Sequence, residues 1–149
     1  MKFIFHDGGR AEAGYSGKAG DCVCRSIVIA ADIDYQEVYD ALADGNCTQR
    51  ASKRTGKRPR TAAAGINTGR KWFSDYMESL GFEWTATMKI GSGCRVHLRD
   101  GELPDGRLVV AVSKHMTAVI DGVIHDTHDP SRGGTRCVYG YWRLSGCKS

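Results

Sequence analysis

The chain has 149 residues, of which 41% are hydrophobic and 26% are charged, and its net charge is +4. This length and composition are those of one globular domain with a core of its own. No run of about 20 apolar residues occurs, which argues against a membrane-spanning helix. The apolar stretch at the N-terminus is too short for a secretory signal. We therefore expect a single domain over 1–149, with a cytoplasmic location and no membrane partner.

The N-terminal part of the chain predicts a short strand followed by a buried helix. Lys2 to Phe5 has the pattern of one strand, and the next residues form a glycine-rich loop. Asp21 is a good N-cap, and the residues from Cys22 onward are mostly apolar. Several of them are β-branched, so we expect burial rather than helix propensity to stabilise this helix.

Two further helices follow. Asp34, with Glu37 three residues later, resembles a capping box and predicts a second helix that ends near 44–45. A third helix is predicted from a Thr68 cap to Leu80, with its apolar residues on one stripe.

A basic run separates the second and third helices, within a predicted loop over 45–66. It contains no acidic residue, and its six positive charges are Arg50, Lys53, Arg54, Lys57, Arg58 and Arg60. Such a run is typical of a solvated loop, and it also fits phosphates or an acidic protein surface. Aromatic residues do not interleave with the charges, so stacking on single-stranded bases is not supported.

The rest of the chain predicts strands. Their patterns cover residues 83–88, 95–98, 108–112, 117–120, 123–126 and 137–144. Helices followed by an antiparallel sheet indicate an α+β fold.

One predicted hairpin carries a chemical signal. Asp121-Gly122 favours a two-residue type I′ turn, which pairs the residues before and after it. This register places His115, Asp126 and His128 on one face, with His115 diagonal to Asp126 across about 7–8 Å. An imidazole held by a carboxylate is half of a hydrolytic site. The alternative is a solvated polar face at the end of a hairpin.

The six cysteines are expected to be free thiols, because no secretory signal is present. Zinc is not favoured, since the chain has one C-x-C and no pair of C-x-x-C clusters. Cys22 follows the predicted cap, where the helix dipole and N–H groups favour a thiolate and could bind an oxyanion. Cys24 points about 200° away around the helix. Cys137, in a strand, is interpreted as core.

This order of residues resembles the papain-like cysteine peptidase superfamily, and most of all its small bacterial members such as bacteriocin-processing peptidase domains. The shared features are an Asp-Cys pair that opens a helix, a His that opens a strand, and an Asp on the returning strand. The segments 20–42 and 115–132 are also similar to small phage and prophage proteins. The resemblance implies a papain-like fold, with N-terminal helices packed on a C-terminal antiparallel sheet.

The resemblance also implies roles for individual residues. Cys22 would be the nucleophile, His115 the general base and then acid, and Asp126 the orienting carboxylate. Ser16 occupies the place of the family's usual Gln, so a backbone amide of its loop forms the oxyanion site or hydrolysis is impaired. Asp21 adjoins that site, and His128 is a rival orienting group or a substrate contact.

The predicted function is a cysteine-dependent hydrolase or acyl-transferase that acts on a peptide or protein in a bacterial or phage-infected cell. No cofactor or metal is expected. Two alternatives stay open. One is a catalytically weak or inactive scaffold, a phage accessory protein that binds a host protein through the basic run. The other is a nucleic-acid-binding module that uses the same run.

Overall fold

The computed structural model describes residues 1–9, 11, 22–47, 68–88, 91 and 93–145. These ranges contain three helices, which are α1 (Cys22–Ala31), α2 (Tyr35–Cys47) and α3 (Lys71–Ser79). They also contain six strands, which are β1 (Lys2–Phe5), β2 (Phe82–Ala86), β3 (Arg107–Val112), β4 (His115–Ile120), β5 (Val123–Asp126) and β6 (Val138–Leu144). The α+β class is therefore confirmed. None of these helices is long and apolar enough to cross a membrane.

The strands form one mixed sheet in the order β1-β5-β4-β3-β6-β2. β1 runs parallel to β5, and every other neighbouring pair is antiparallel. The prediction of a C-terminal, wholly antiparallel sheet preceded by all the helices is therefore wrong. A parallel pair of strands needs a long crossover connection, and the connection here runs from β1 to β5. Because the two strands are so far apart in sequence, no local pattern predicts their pairing.

The sheet buries apolar side chains on both faces, because successive residues of a strand point to opposite sides. Val109, Met116 and Trp142 lie on the face that packs against the helices. Leu108 lies on the other face, in a second cluster that includes Leu98 from the chain before β3. Burial on both faces explains why β3 is a nearly continuous apolar run rather than an alternating one.

The predicted hairpin is confirmed. Asp121 and Gly122 both have positive φ, 47° and 81°, as a type I′ turn requires. Ile120 pairs with Val123, and the same register continues to Ala118, which pairs with His125. The alternation on which the candidate site depends is therefore the one that the sequence predicts.

The start of α2 is also as predicted, but its end is not. The Asp34 carboxylate accepts a hydrogen bond from the Gln36 N–H at 3.1 Å, which is an N-cap contact. The helix continues through Gly45 to Cys47, beyond the predicted end. A Cβ at Gly45 would lie 2.2 Å from the Trp72 ring, so this glycine allows close packing inside the helix instead of ending it.

α3 begins two residues later than predicted. Its N-cap is Arg70, which makes no side-chain capping bond, so Thr68 is not the cap. Phe73 and Met77 are buried, as their spacing predicts. The helix ends before Gly81, whose φ is +96°.

The expectation that all cysteines are free is wrong for one pair. Cys94 and Cys137 form a disulfide with a Cα–Cα distance of 5.8 Å. The predicted strand over 95–98 is reduced to one bridge, between His97 and Cys137. Cys137 is therefore a crosslink rather than a simple core residue. Its partner lies 43 residues earlier, a pairing that spacing does not reveal.

The Asp34 cap provides a test of the start of α2. We expect Asp34→Ala to lower the free energy of unfolding by about 0.5–2 kcal/mol, because the Gln36 N–H loses its acceptor. Chemical denaturation followed by circular dichroism measures this loss. Asp44→Ala is the matched control, since it removes an exposed carboxylate from the last turns of the same helix. Equal losses in the two variants would contradict the capping role.

Candidate active site

Cys22 is the first residue of α1, and its side chain is partly buried against the core beneath the helices. Cys24 is fully buried, as expected for a side chain on another part of the helix surface. Cys22 and Cys24 are both free thiols. The helix therefore presents one thiol at its tip and encloses the other.

His115 and Asp126 meet at the end of two neighbouring strands. His115 is the first residue of β4, and Asp126 is the last residue of β5. Nε2 of His115 lies 2.7 Å from Oδ2 of Asp126, with side chains 13% and 4% exposed. The diagonal contact predicted from the hairpin register is therefore present, and it is nearly sealed from solvent.

The His115 ring also contacts the Cys22 sulfur. The thiol and the ring form a hydrogen bond, and the backbone N–H of Met116 donates a second one to the same sulfur. Since Nε2 of His115 is held by Asp126, Nδ1 is the ring atom left for the thiol. The structure thus brings Cys22, His115 and Asp126 into one hydrogen-bonded chain.

This meeting follows from the direction of α1, which runs along β4 in the same sense. Cys22 lies at the start of β4, beside Met116. Arg107 pairs with Ile120 at the other end of β4. Its Nη1 donates to the carbonyls of Ile29 and Ala30, near the end of α1, at 3.2 and 3.4 Å. Strand alternation alone assigns His115 to the face away from the helices. His115 is nevertheless the first residue of its strand, and its ring contacts the Cys22 sulfur at the helix tip.

The ionisation of the three groups is linked. Burial raises the pKa of the Cys22 thiol, but hydrogen bonds from His115 and Met116 and the charges of His115 and Arg25 give a net lowering. Burial lowers the pKa of His115, but Asp126 and the Cys22 sulfur raise it to about 9. These opposite shifts favour a thiolate beside a protonated imidazole.

Asp126 is held in its charged form by several donors. Burial raises the pKa of its carboxyl, but the hydrogen bond and charge of His115, with a contribution from the Thr127 N–H, are among the causes of a net lowering. The Thr127 N–H lies 2.7 Å from Oδ1. Nη2 of Arg25 lies 3.7 Å from the same oxygen, and the Arg25 side chain is only 12% exposed.

Arg25 is a site residue that the sequence interpretation missed. It lies three residues after Cys22 on α1, so both side chains share one side of the helix. That spacing was the available signal, because a cation at i+3 falls beside a thiol at the helix tip. Its charge lowers the pKa of Cys22, and it pairs with Asp126 as well.

His128 lies against the ring of His115, with ring centroids 5.0 Å apart and an angle of 45° between the planes. It is exposed, whereas His115 is largely covered. The structure therefore places it at the solvent side of the site. Asp126, not His128, holds Nε2 of His115.

The remaining predicted site residues belong to two stretches of sequence, one before α1 and one between α2 and α3. Ser16, Asp21 and the basic run Arg50, Lys53, Arg54, Lys57, Arg58 and Arg60 lie outside the described residues. The two alternative functions depend on that run. In the part of the chain that is described, no group of three or more His, Cys, Asp or Glu side chains is arranged to hold a metal ion.

Comparison with known proteins adds no assignment. No protein family, curated protein or solved structure matches this chain.

Removal of the Asp126 charge gives a pH-dependent loss of stability. The pKa of His115 is raised from 6.5 to about 9, so its protonation stabilises the fold fully below 6.5, and this contribution is lost as the pH rises through about 9. Near pH 6 we expect Asp126→Asn to lower the free energy of unfolding by about 1.5–3 kcal/mol, and by less near pH 10.

Chemical denaturation at the two pH values measures this difference. His128→Gln is the control, because His128 is exposed and does not hold the Asp126 carboxylate. A loss in Asp126→Asn that is the same at both pH values would show that the charged pair does not stabilise the fold.

Proposed function

We propose that this protein is a cysteine-dependent hydrolase or acyl-transferase that acts through Cys22, His115 and Asp126. The observation that carries the proposal is the hydrogen-bonded chain from the Cys22 sulfur through the His115 ring to the Asp126 carboxylate. A nucleophile, a base and an orienting acid in contact are the parts that acyl transfer needs. The resemblance to papain-like cysteine peptidases supports the same roles.

The chemistry begins at the sulfur. The Cys22 thiolate attacks a substrate carbonyl carbon, a C–S bond forms, and the carbonyl electrons move to oxygen as an oxyanion. N–H groups of the first helical turn have no acceptor inside the helix, so they are natural donors to that oxyanion. The oxyanion then collapses, and the bond to the leaving nitrogen breaks as His115 gives it a proton.

The second half of the cycle releases the acyl group. His115, now neutral, removes a proton from a water or an amine, which attacks the thioester carbon. The C–S bond breaks, sulfur leaves as thiolate, and His115 ends protonated again. Water gives hydrolysis and an amine gives transfer, and the same three side chains serve both reactions.

Asp126 and Arg25 support this cycle without touching the reacting atoms. The carboxylate holds Nε2 of His115, so Nδ1 stays aimed at the sulfur and the ring keeps its proton. Arg25 pairs with the same carboxylate and adds positive charge near the thiolate. Arg25 is a positioning residue in this scheme.

Acylation by p-nitrophenyl acetate tests the nucleophile. We expect a burst of p-nitrophenolate equal to the amount of protein, with the acetyl group found on Cys22 by mass spectrometry. Cys22→Ala should abolish the burst, and His115→Ala should slow it by about 100-fold or more. His97→Gln is the control, because the His97 ring pairs with Glu102, and it should retain the burst. Similar acetylation of several cysteines, or a rate unaffected by His115→Ala, would refute the proposal.

The pH dependence of alkylation tests the ion pair. His115 lowers the pKa of Cys22 from 9.0, so the wild type keeps thiolate at pH values where an isolated thiol is protonated. We expect iodoacetamide to react with Cys22 about tenfold or more slowly in His115→Ala than in the wild type near pH 6. The two rates should approach each other only at high pH, where Cys22 ionises in both proteins without the charge of His115.

The matched control for alkylation is Cys24→Ala. Because Cys24 is 0% exposed, its removal should leave the amount and rate of labelling unchanged. If the alkylation rate of the wild type depends on pH in the same way as that of an ordinary thiol, His115 does not activate Cys22.

A further inference from the structure

A groove lies on the helix-facing side of the sheet, next to the candidate triad. Its volume is about 480 Å³, and Thr68 and Gly69 lie at one margin. The sheet side is formed by Ala111, Met116, Trp84 and Trp142, and the α3 side by Ser74 and Glu78. We name the groove formed by the four sheet residues and the two α3 residues the tryptophan groove. No residue of the triad lines it.

Two tryptophan rings, those of Trp84 and Trp142, line the groove. Trp84 and Trp142 pair across β2 and β6, with ring centroids 5.3 Å apart and 53° between the planes. Trp142 is buried, whereas Trp84 is 45% exposed, so an indole ring is open to solvent. Large exposed aromatic surface beside a pocket is typical of a binding site.

The position of the Trp84 ring is set by a glycine. A Cβ at Gly140 would lie 2.4 Å from two carbons of the Trp84 ring, so that ring lies directly over the backbone of β6. Any other residue at 140 would push the indole away. The exposed ring is therefore held in a defined place, although nearly half of it meets solvent.

The α3 side of the groove carries a negative charge. Glu78 and Ser74 are four residues apart on α3, so they share one side of that helix. Among the described lining residues, Glu78 is the one charged group. Lys71, on the same helix, forms an ion pair with Asp75 at 2.9 Å, so Asp75 is its direct partner rather than Glu78.

These features fit a side chain that is apolar along its length, flat at its end and positively charged. A cation over a tryptophan ring is attracted by the negative face of the ring, and a guanidinium can also stack on it. The same guanidinium can donate two hydrogen bonds to a carboxylate. We propose that the tryptophan groove binds an arginine side chain of the peptide or protein substrate.

Met116 connects the groove to the chemistry. Its N–H donates to the Cys22 sulfur, and the same residue lines the groove. An arginine in the groove thus lies near the carbonyl that the thiolate attacks. This part of the inference rests on the proposed function, and it makes the preferred substrate a peptide with arginine close to the reacting bond.

Binding is tested on the full chain carrying Cys22→Ala, so that no substrate is consumed. The probes are capped alanine pentapeptides that differ only at the central residue, which is arginine, citrulline, lysine or norleucine. Isothermal titration gives the affinity, and tryptophan fluorescence reports on the groove. We expect arginine to bind about tenfold or more tightly than citrulline, which has nearly the same shape but no charge.

Variants locate the contacts. Trp84→Ala and Glu78→Gln, each added to Cys22→Ala, should weaken arginine binding about tenfold. Glu83→Gln is the matched control, because Glu83 is an exposed carboxylate next to Trp84 that does not line the groove. Equal affinity for citrulline and arginine, tighter binding of norleucine, no binding of any probe, or an equal loss in Glu83→Gln would each overturn the proposal.

The two proposals can fail separately. Acetylation by p-nitrophenyl acetate needs the thiol but no side chain in the groove. Arginine binding without acetylation of Cys22 would leave the groove assignment standing and remove the enzymatic one. Acetylation without selective arginine binding would do the reverse.

Discussion

The hydrogen bond between Asp126 and His115 is the interaction on which the candidate site depends. A carboxylate that is 4% exposed must be compensated by donors, because its desolvation is costly. Here two hydrogen-bond donors and one ion-pair partner come from three elements: His115 opens β4, the Thr127 N–H follows β5, and the Arg25 guanidinium reaches from α1. Satisfying one buried charge therefore requires two strand ends and the first turn of α1 to meet, and this meeting places the Cys22 thiol beside the imidazole.

Much of this arrangement was predictable because it follows from local rules. The Asp121-Gly122 turn sets the register, and a slip by one residue would move every side chain of a strand to the other face. The sequence alone therefore assigns His115 and Asp126 to one face of the hairpin. The thiol at the tip of α1 was predictable from its place after Asp21. The α+β class followed from the order of the elements.

Other features could not be predicted, because they depend on contacts between distant parts of the chain. The parallel pairing of β1 with β5 and the Cys94–Cys137 disulfide join segments that no short pattern relates. Gly45 has the signal of a helix end, but it is a site of close approach to Trp72 within α2. Arg25 carried a usable signal in its spacing from Cys22, but its bond to Asp126 needs the tertiary structure.

The Met116 N–H at the Cys22 sulfur has a consequence for how the site can be altered. It belongs to the main chain, so replacing the Met116 side chain leaves the donor in place. Substitutions of His115, Asp126 or Arg25 can remove the other sources of thiolate stabilisation, but this one survives them all. Substitutions at these neighbours should therefore weaken the nucleophile in steps, while the main-chain donor at the sulfur stays in place.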